Sequence, residues 1–239
     1  MTKPTHHHKD YYAPEEKLYV ATDNIIFGFD EGVLKLLLFK RRVEPFKGTM
    51  SLIGSFVHPD ESAPNAAKRV LREITGLDDI FMEELKSYSA VERDPGARCI
   101  SIAFYALIRI EESNKALVEK HGAIWHEVNS LPDLVLDHGQ MVTDALGRLR
   151  EKAQFYPIGV ELLPKKFTIP QLQKLYEAIY QRDIDTRNFR KKLLSLNLLI
   201  PLDEKDMSGS KKGAYLYKFN YSKYKKLETK GFNFSLFKT

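Results

Sequence analysis

A chain of 239 residues with 43% hydrophobic side chains is long enough for one large domain or two modest ones, each with a real core. The net charge of +5 is unevenly spread: residues 160–239 hold 17 Lys and Arg against 8 Asp and Glu and the rest 20 against 24, so a mildly acidic front precedes a basic back suited to an anionic partner such as nucleic acid. No apolar run nears the roughly 18 to 20 residues that span a bilayer, the first twenty residues lack a signal-peptide core, and the lone Cys99 excludes an intrachain disulfide and a CxxC metal site, so a cytoplasmic protein with no membrane partner is expected.

The polar leader contains His6, His7 and His8, which read as part of a floppy tail and not as a metal site. Residues 19–29 and 33–42 alternate as strands joined by a turn at Asp30, Glu31 and Gly32, a hairpin signal. A short strand over 51–57 follows, then a helix whose Ala63, Ala66, Ala67, Val70, Leu71 and Ile74 recur at three- and four-residue spacing until Gly76 stops it. An extended stretch over 85–92, a polar loop with Arg93, Asp94, Pro95, Gly96, Ala97 and Arg98, a strand over 99–110 with Cys99 as a small core residue, and a further strand over 125–128 come next. A helix from about residue 140 to Phe155 closes this mixed α/β unit.

The segment YPIGVELLPKK, with two prolines, a glycine and a change of charge sign, divides residues 1–156 from 157–239. Beyond it Thr168 and Gln171 form a capping box, and Leu172, Leu175, Tyr176 and Ile179 make one apolar stripe. After a tight turn Asp185 caps a second helix with Phe189, Leu193 and Leu196 inside and Arg187, Asn188, Arg190, Lys191 and Lys192 outside. Residues 198–202 and 215–220 then read as a hairpin with a basic tip carrying Lys211 and Lys212. Helix, turn, arginine-rich helix and basic wing have the order of a winged helix-turn-helix, in which the second helix enters the major groove. Arg187 and Arg190 suit guanine O6/N7, Asn188 suits adenine, and Lys191, Lys192, Lys211 and Lys212 suit phosphates.

The piece LIGSFVHPDESAPNAAKRVLREITGL can be laid without a gap on the Nudix box, G-x5-E-x7-R-E-U-x-E-E-x-G-U. Ser55 takes the place of the first glycine; Glu61, Arg69, Leu71, Glu73, Gly76 and Leu77 match, and Val70 and Ile74 replace two glutamates. The carboxylates of such a box project from one helical face onto divalent cations, which valine and isoleucine cannot ligate. Efficient hydrolysis is not expected, nor any catalytic residue, metal or other cofactor, although Glu61 and Glu73 leave residual hydrolysis open.

Taken with SAVERDPGARCISIAFYALI, DHGQMV and the C-terminal RNFRKKLL and YLYKF, the chain resembles the Nudix-related transcriptional regulators over nearly its whole length. That resemblance implies a Nudix-like α/β/α sandwich with a mixed sheet, followed by an α+β winged helix-turn-helix. It also implies a homodimer on palindromic double-stranded operator DNA, released when a small-molecule effector enters the Nudix-like pocket. Some branches of the family use ADP-ribose or a related nucleotide, and others are linked to arabinose. Because Ser55, Val70 and Ile74 depart from the pattern that grips pyrophosphate, a pentose such as L-arabinose is the favoured effector, with an ADP-ribose-like nucleotide as the alternative. Lys40, Ser51, Ser55, Glu92, Arg98 and Tyr105 lie on segments that border the pocket in Nudix folds and are the candidate effector residues. A nucleoside diphosphate hydrolase with an accessory domain, or a nucleic-acid module that senses nothing, are the competing functions.

Overall fold

The computed structural model describes residues 15–208 and 212–230. The calls on His6, His7, His8 and Lys211 therefore lie outside the described residues.

Strands β1 (Tyr19–Asp30) and β2 (Val33–Lys40) form the expected hairpin, closed by Glu31 at φ 49° and Gly32 at φ 94°. Two successive left-handed residues match the right-handed twist of the flanking strands, and glycine takes its place there without steric cost. The strand expected over 51–57 is two: β3 (Met50–Ser51) pairs with β2, whereas β4 (Ile53–Phe56) crosses to β1. Helix α1 (Ala63–Thr75) stops at Gly76, φ 76°, whose N–H returns to the Arg72 carbonyl. β5 (Glu83–Tyr88) and β6 (Cys99–Arg109) follow, with Cys99 buried in β6. Next comes α2 (Glu112–His121), which the periodicity does not announce because Val118 is its one buried residue among those described. β7 (Ala123–Glu127) begins two residues before the expected strand, and α3 (His138–Phe155) begins two residues before the expected helix.

The sheet is mixed, in the order β3-β2-β1-β6-β5, with β4 added to β1 and β7 to β2. β1 and β6 run parallel, Tyr19 beside Cys99 and Phe29 beside Arg109, and the other pairs are antiparallel. Alternation sends Ile25, Phe27, Leu34, Leu36 and Leu38 to one face, against α3, and Ile26, Leu37 and Ile53 to the other, against Val70 and Leu71 of α1. The result is the expected three-layer sandwich.

The second unit comprises β8 (Phe167–Thr168), α4 (Ile169–Tyr180), α5 (Thr186–Ser195), β9 (Leu199–Asp206), β10 (Ala214–Phe219) and α6 (Tyr221–Glu228), with sheet order β8-β10-β9. The Thr168/Gln171 capping box is formed, and the Asp185 carboxylate accepts from Asn188 N–H at 2.7 Å. β9 runs four residues past the expected strand because Lys205 and Asp206 pair with Tyr215 and Ala214 in a wing open to water, where no apolar alternation is required.

The two units share one core. The cluster on the α3 face continues from Met141, Ala145 and Leu149 through the linker residues Val160, Leu162 and Leu163 to Leu172, Leu175, Tyr176 and Ile179 of α4, and on to Phe189 and Leu193 of α5. Polar contacts tie the same seam: Arg150 Nε donates to the Ile179 carbonyl at 3.2 Å, and the Tyr180 hydroxyl donates to the Arg150 carbonyl at 3.3 Å.

Candidate functional site

At the box, one guanidinium organises what is left of the carboxylates. Arg69 meets both oxygens of Glu61 at 2.6 to 3.2 Å, reaches Glu73 at 3.1 Å and donates to the Phe56 carbonyl at 3.0 Å. This hydrogen bonding holds the Glu61 carboxyl down to about 2. Val70 is 0% exposed, inside the cluster with Ile26, Leu37 and Ile53, and Ile74 packs on the same cluster. Glu73 points outward with its side chain 57% exposed. A divalent cation needs several convergent oxygen ligands. Here two of the box positions belong to the core and the other two carboxylates are spent on Arg69, so this donor set does not fit the metal cluster that a Nudix fold implies.

A second polar group lies at the end of the sheet where β1 and β6 begin and β2 ends. The loop after β2 meets the loop before β6 there: a Cβ placed on Gly96 would lie 3.6 Å from Pro45 Cδ. Beneath them Arg93, 8% exposed, grips Asp137 through two bonds of 2.7 and 2.9 Å and lies 3.8 Å from Asp23. Ser101 donates to Asp23 at 2.6 Å. His138, at the first position of α3, accepts the Leu52 N–H on Nδ1 at 3.1 Å, so its hydrogen sits on Nε2, 3.5 Å from Asp23. Burial pushes the imidazole below its ordinary value, which keeps it neutral.

The candidate effector residues distribute unevenly about this mouth. Ser51 is buried in it, its hydroxyl donating to the Leu52 carbonyl at 3.0 Å and lying 3.5 Å from His138 Nδ1. Lys40 is exposed at the end of β2, Ser55 is exposed on β4 opposite Thr22, and Glu92 is exposed beside Arg93. Arg98 braces its loop, donating to the Ala90 and Ser89 carbonyls at 3.3 and 3.1 Å. Tyr105 does not belong with them. It lies six positions into β6, about 20 Å along the strand, where it lines a separate cavity of about 320 Å³ with Glu83, Leu149, Lys152 and Ile158. Arg93, Asp137 and His138 are missing from the expected set. The signal available for them was opposite charge in two distant stretches, ERDPGAR and LDHGQMV.

In the second unit Arg187, Asn188, Arg190, Lys191 and Lys192 all stand exposed on α5, while Phe189 and Leu193 are buried beneath. Gln173 of α4 fixes the preceding turn, donating to Glu177, the Ile184 carbonyl and Thr186, and Glu177 accepts the Ile184 N–H at 3.1 Å. Lys212 is exposed at the wing, on the far side of the undescribed residues. The arrangement offers a capped, positively charged helix face of the kind that fits a major groove.

Comparison with known proteins agrees with both halves. The NUDIX domain family model matches residues 17–145, and that of the NrtR DNA-binding winged helix domain matches residues 159–219. The chain is 28% identical over 219 residues to the ADPR responsive transcriptional repressor NtrR of Acinetobacter baylyi, covering 90% of this chain and 86% of that protein. It is 35% identical over 128 residues to the ADP-ribose pyrophosphatase of Methanocaldococcus jannaschii, 54% of this chain and 75% of that one. Among solved structures, Shewanella oneidensis NrtR complexed with a 27mer DNA superimposes with a TM-score of 0.69 at 26% identity, over 84% of this chain and 93% of that one. The NUDIX domain of the same protein complexed with ADP ribose gives a TM-score of 0.50 at 26% identity, over 58% and 92%.

Proposed function

The chain belongs to the NUDIX family and carries a winged helix domain of the NrtR DNA-binding type, and from this premise we propose that it is a transcriptional repressor that ADP-ribose, or a closely related nucleotide, releases from operator DNA. The exposed cationic face of α5 on a capped, Gln173-braced turn is the observation that carries the DNA-binding half. The sensing half is supported by the likeness to an ADPR responsive repressor and to a NUDIX domain solved with ADP ribose. These relatives favour the nucleotide alternative over L-arabinose, which nothing in them supports.

In this reading residues 1–156 sense and residues 157–239 bind DNA as a homodimer, with half-sites about 34 to 36 Å apart. Arg187, Asn188 and Arg190 face bases, and Lys191, Lys192 and Lys212 face phosphates. The effector binds better to a conformation whose two recognition helices no longer match successive grooves. The test is a titration of the chain with the DNA upstream of its own gene, with and without ADP-ribose or L-arabinose. Tight binding relieved by ADP-ribose is expected; binding indifferent to the nucleotide would overturn the sensor. A second reading, hydrolysis of ADP-ribose, is favoured by the similarity to an ADP-ribose pyrophosphatase and opposed by the lost carboxylates. Magnesium-dependent turnover abolished by Glu73→Gln would establish it.

A further inference from the structure

We propose that this chain holds its nucleotide effector without a divalent cation, the pyrophosphate charge being met by Arg41 and Lys40 at the mouth between the two loops. This rests on the reading of ADP-ribose as effector.

A doubly charged pyrophosphate leaves water only if something positive replaces the lost hydration. In a Nudix site that role falls to metal ions, and here the metal's ligands are gone in a way that cannot be repaired by side-chain motion. Val70 is fully buried among apolar neighbours, and Glu61 is clamped by Arg69 through both of its oxygens. Fixed cations are the remaining source of charge.

Arg41 follows directly on β2, and its Nε is anchored to the Pro45 and Val43 carbonyls at 2.6 and 3.2 Å. That anchoring orients the guanidinium and leaves both terminal nitrogens for a ligand, with no carboxylate ion-paired to them among the described residues. Arg41 is half-buried, and the Pro45 carbonyl that holds it belongs to the loop that meets Gly96, so its guanidinium lies where the two loops come together. Lys40 alternates with Leu34, Leu36 and Leu38 and so projects from the sheet face that carries His138. The neighbouring Arg42 is excluded: it turns to the His121 carbonyl at 3.3 Å, on the opposite side of the sheet with α2. A planar guanidinium offers paired N–H groups to phosphate oxygens, as two metal-bound carboxylates cannot.

The experiment is isothermal titration of the full chain with ADP-ribose, first in EDTA and then in excess magnesium chloride. The affinity should agree within about twofold in the two buffers, and Arg41→Gln and Lys40→Gln should each weaken it about tenfold or more in EDTA with the melting temperature unchanged. Lys40 is exposed, so its variant reports charge even where the Arg41 variant disturbs the loop. Tightening of tenfold or more on adding magnesium, or unchanged affinity in both variants, overturns the inference while leaving ADP-ribose as effector. No heat in either buffer removes the effector reading and this inference with it.

Discussion

Arg69 is the side chain that gathers the two carboxylates present in the box. In an intact box its neighbours would share the helix face with metal ligands; here its guanidinium has become the partner of Glu61 and Glu73, tying the loop before α1 to the helix itself. The Glu61 carboxyl is held near 2 chiefly by the Arg69 hydrogen bonds, below its ordinary 4.5. A depressed carboxyl contributes stability that is complete above the unfolded value and is lost as pH falls toward the folded one. Glu61→Gln should therefore cost about 1 kcal/mol near neutrality, the pair being only partly shielded from water. In urea titrations that difference should shrink as pH drops from 4.5 toward 2. A difference that stayed constant over that range would mean the ion pair does not form.

At the scale of elements, α5 and the turn before it form a rigid presenting device. Asp185 caps the helix, Gln173 and Glu177 pin the turn, and Tyr176 packs on Phe189 with ring centroids 5.9 Å apart. None of these groups needs DNA to be in place, so the cost of ordering the helix is met before binding. Arg190→Ala should therefore weaken specific operator binding by about 1 to 3 kcal/mol in gel-shift titrations, with no change in melting temperature. Unchanged affinity would put a different face of α5 in the groove. The face itself was legible in the sequence because capping, apolar spacing and charge all agree there. The short α2 was not, because a helix that buries one residue leaves no stripe to read. The buried polar group was harder still, since its members are joined by long-range pairs such as Arg93 with Asp137, and no local spacing encodes them. The preference for a sugar finds no support among the relatives, and its reasoning had a chemical gap: loss of carboxylates removes a metal clamp, which by itself does not speak against an anionic ligand.

For the molecule as a whole, the linker that divides the sequence does not divide the core. Val160, Leu162 and Leu163 are buried between the sheet and α4, so neither unit can lose its partner without exposing apolar surface. Trp125, the single tryptophan, sits on the sheet of the first unit, while far-ultraviolet circular dichroism reports helices of both. Urea unfolding followed by the two signals should give coincident curves, and separate midpoints would show that the seam is not cooperative. The 18-residue α3 runs from the Arg93 anchor at one end of the sheet toward the Ile179 and Tyr180 attachments at the other. At 1.5 Å per residue it is a stiff rod of about 27 Å, and a tilt of about 5° at its His138 end would swing the far end sideways by about 2 Å. Displacements of that size are enough to slip one packed helix against another. A ligand that displaced Asp137 would, through such a tilt, shift the α4 attachments and with them the exposed cationic face of α5.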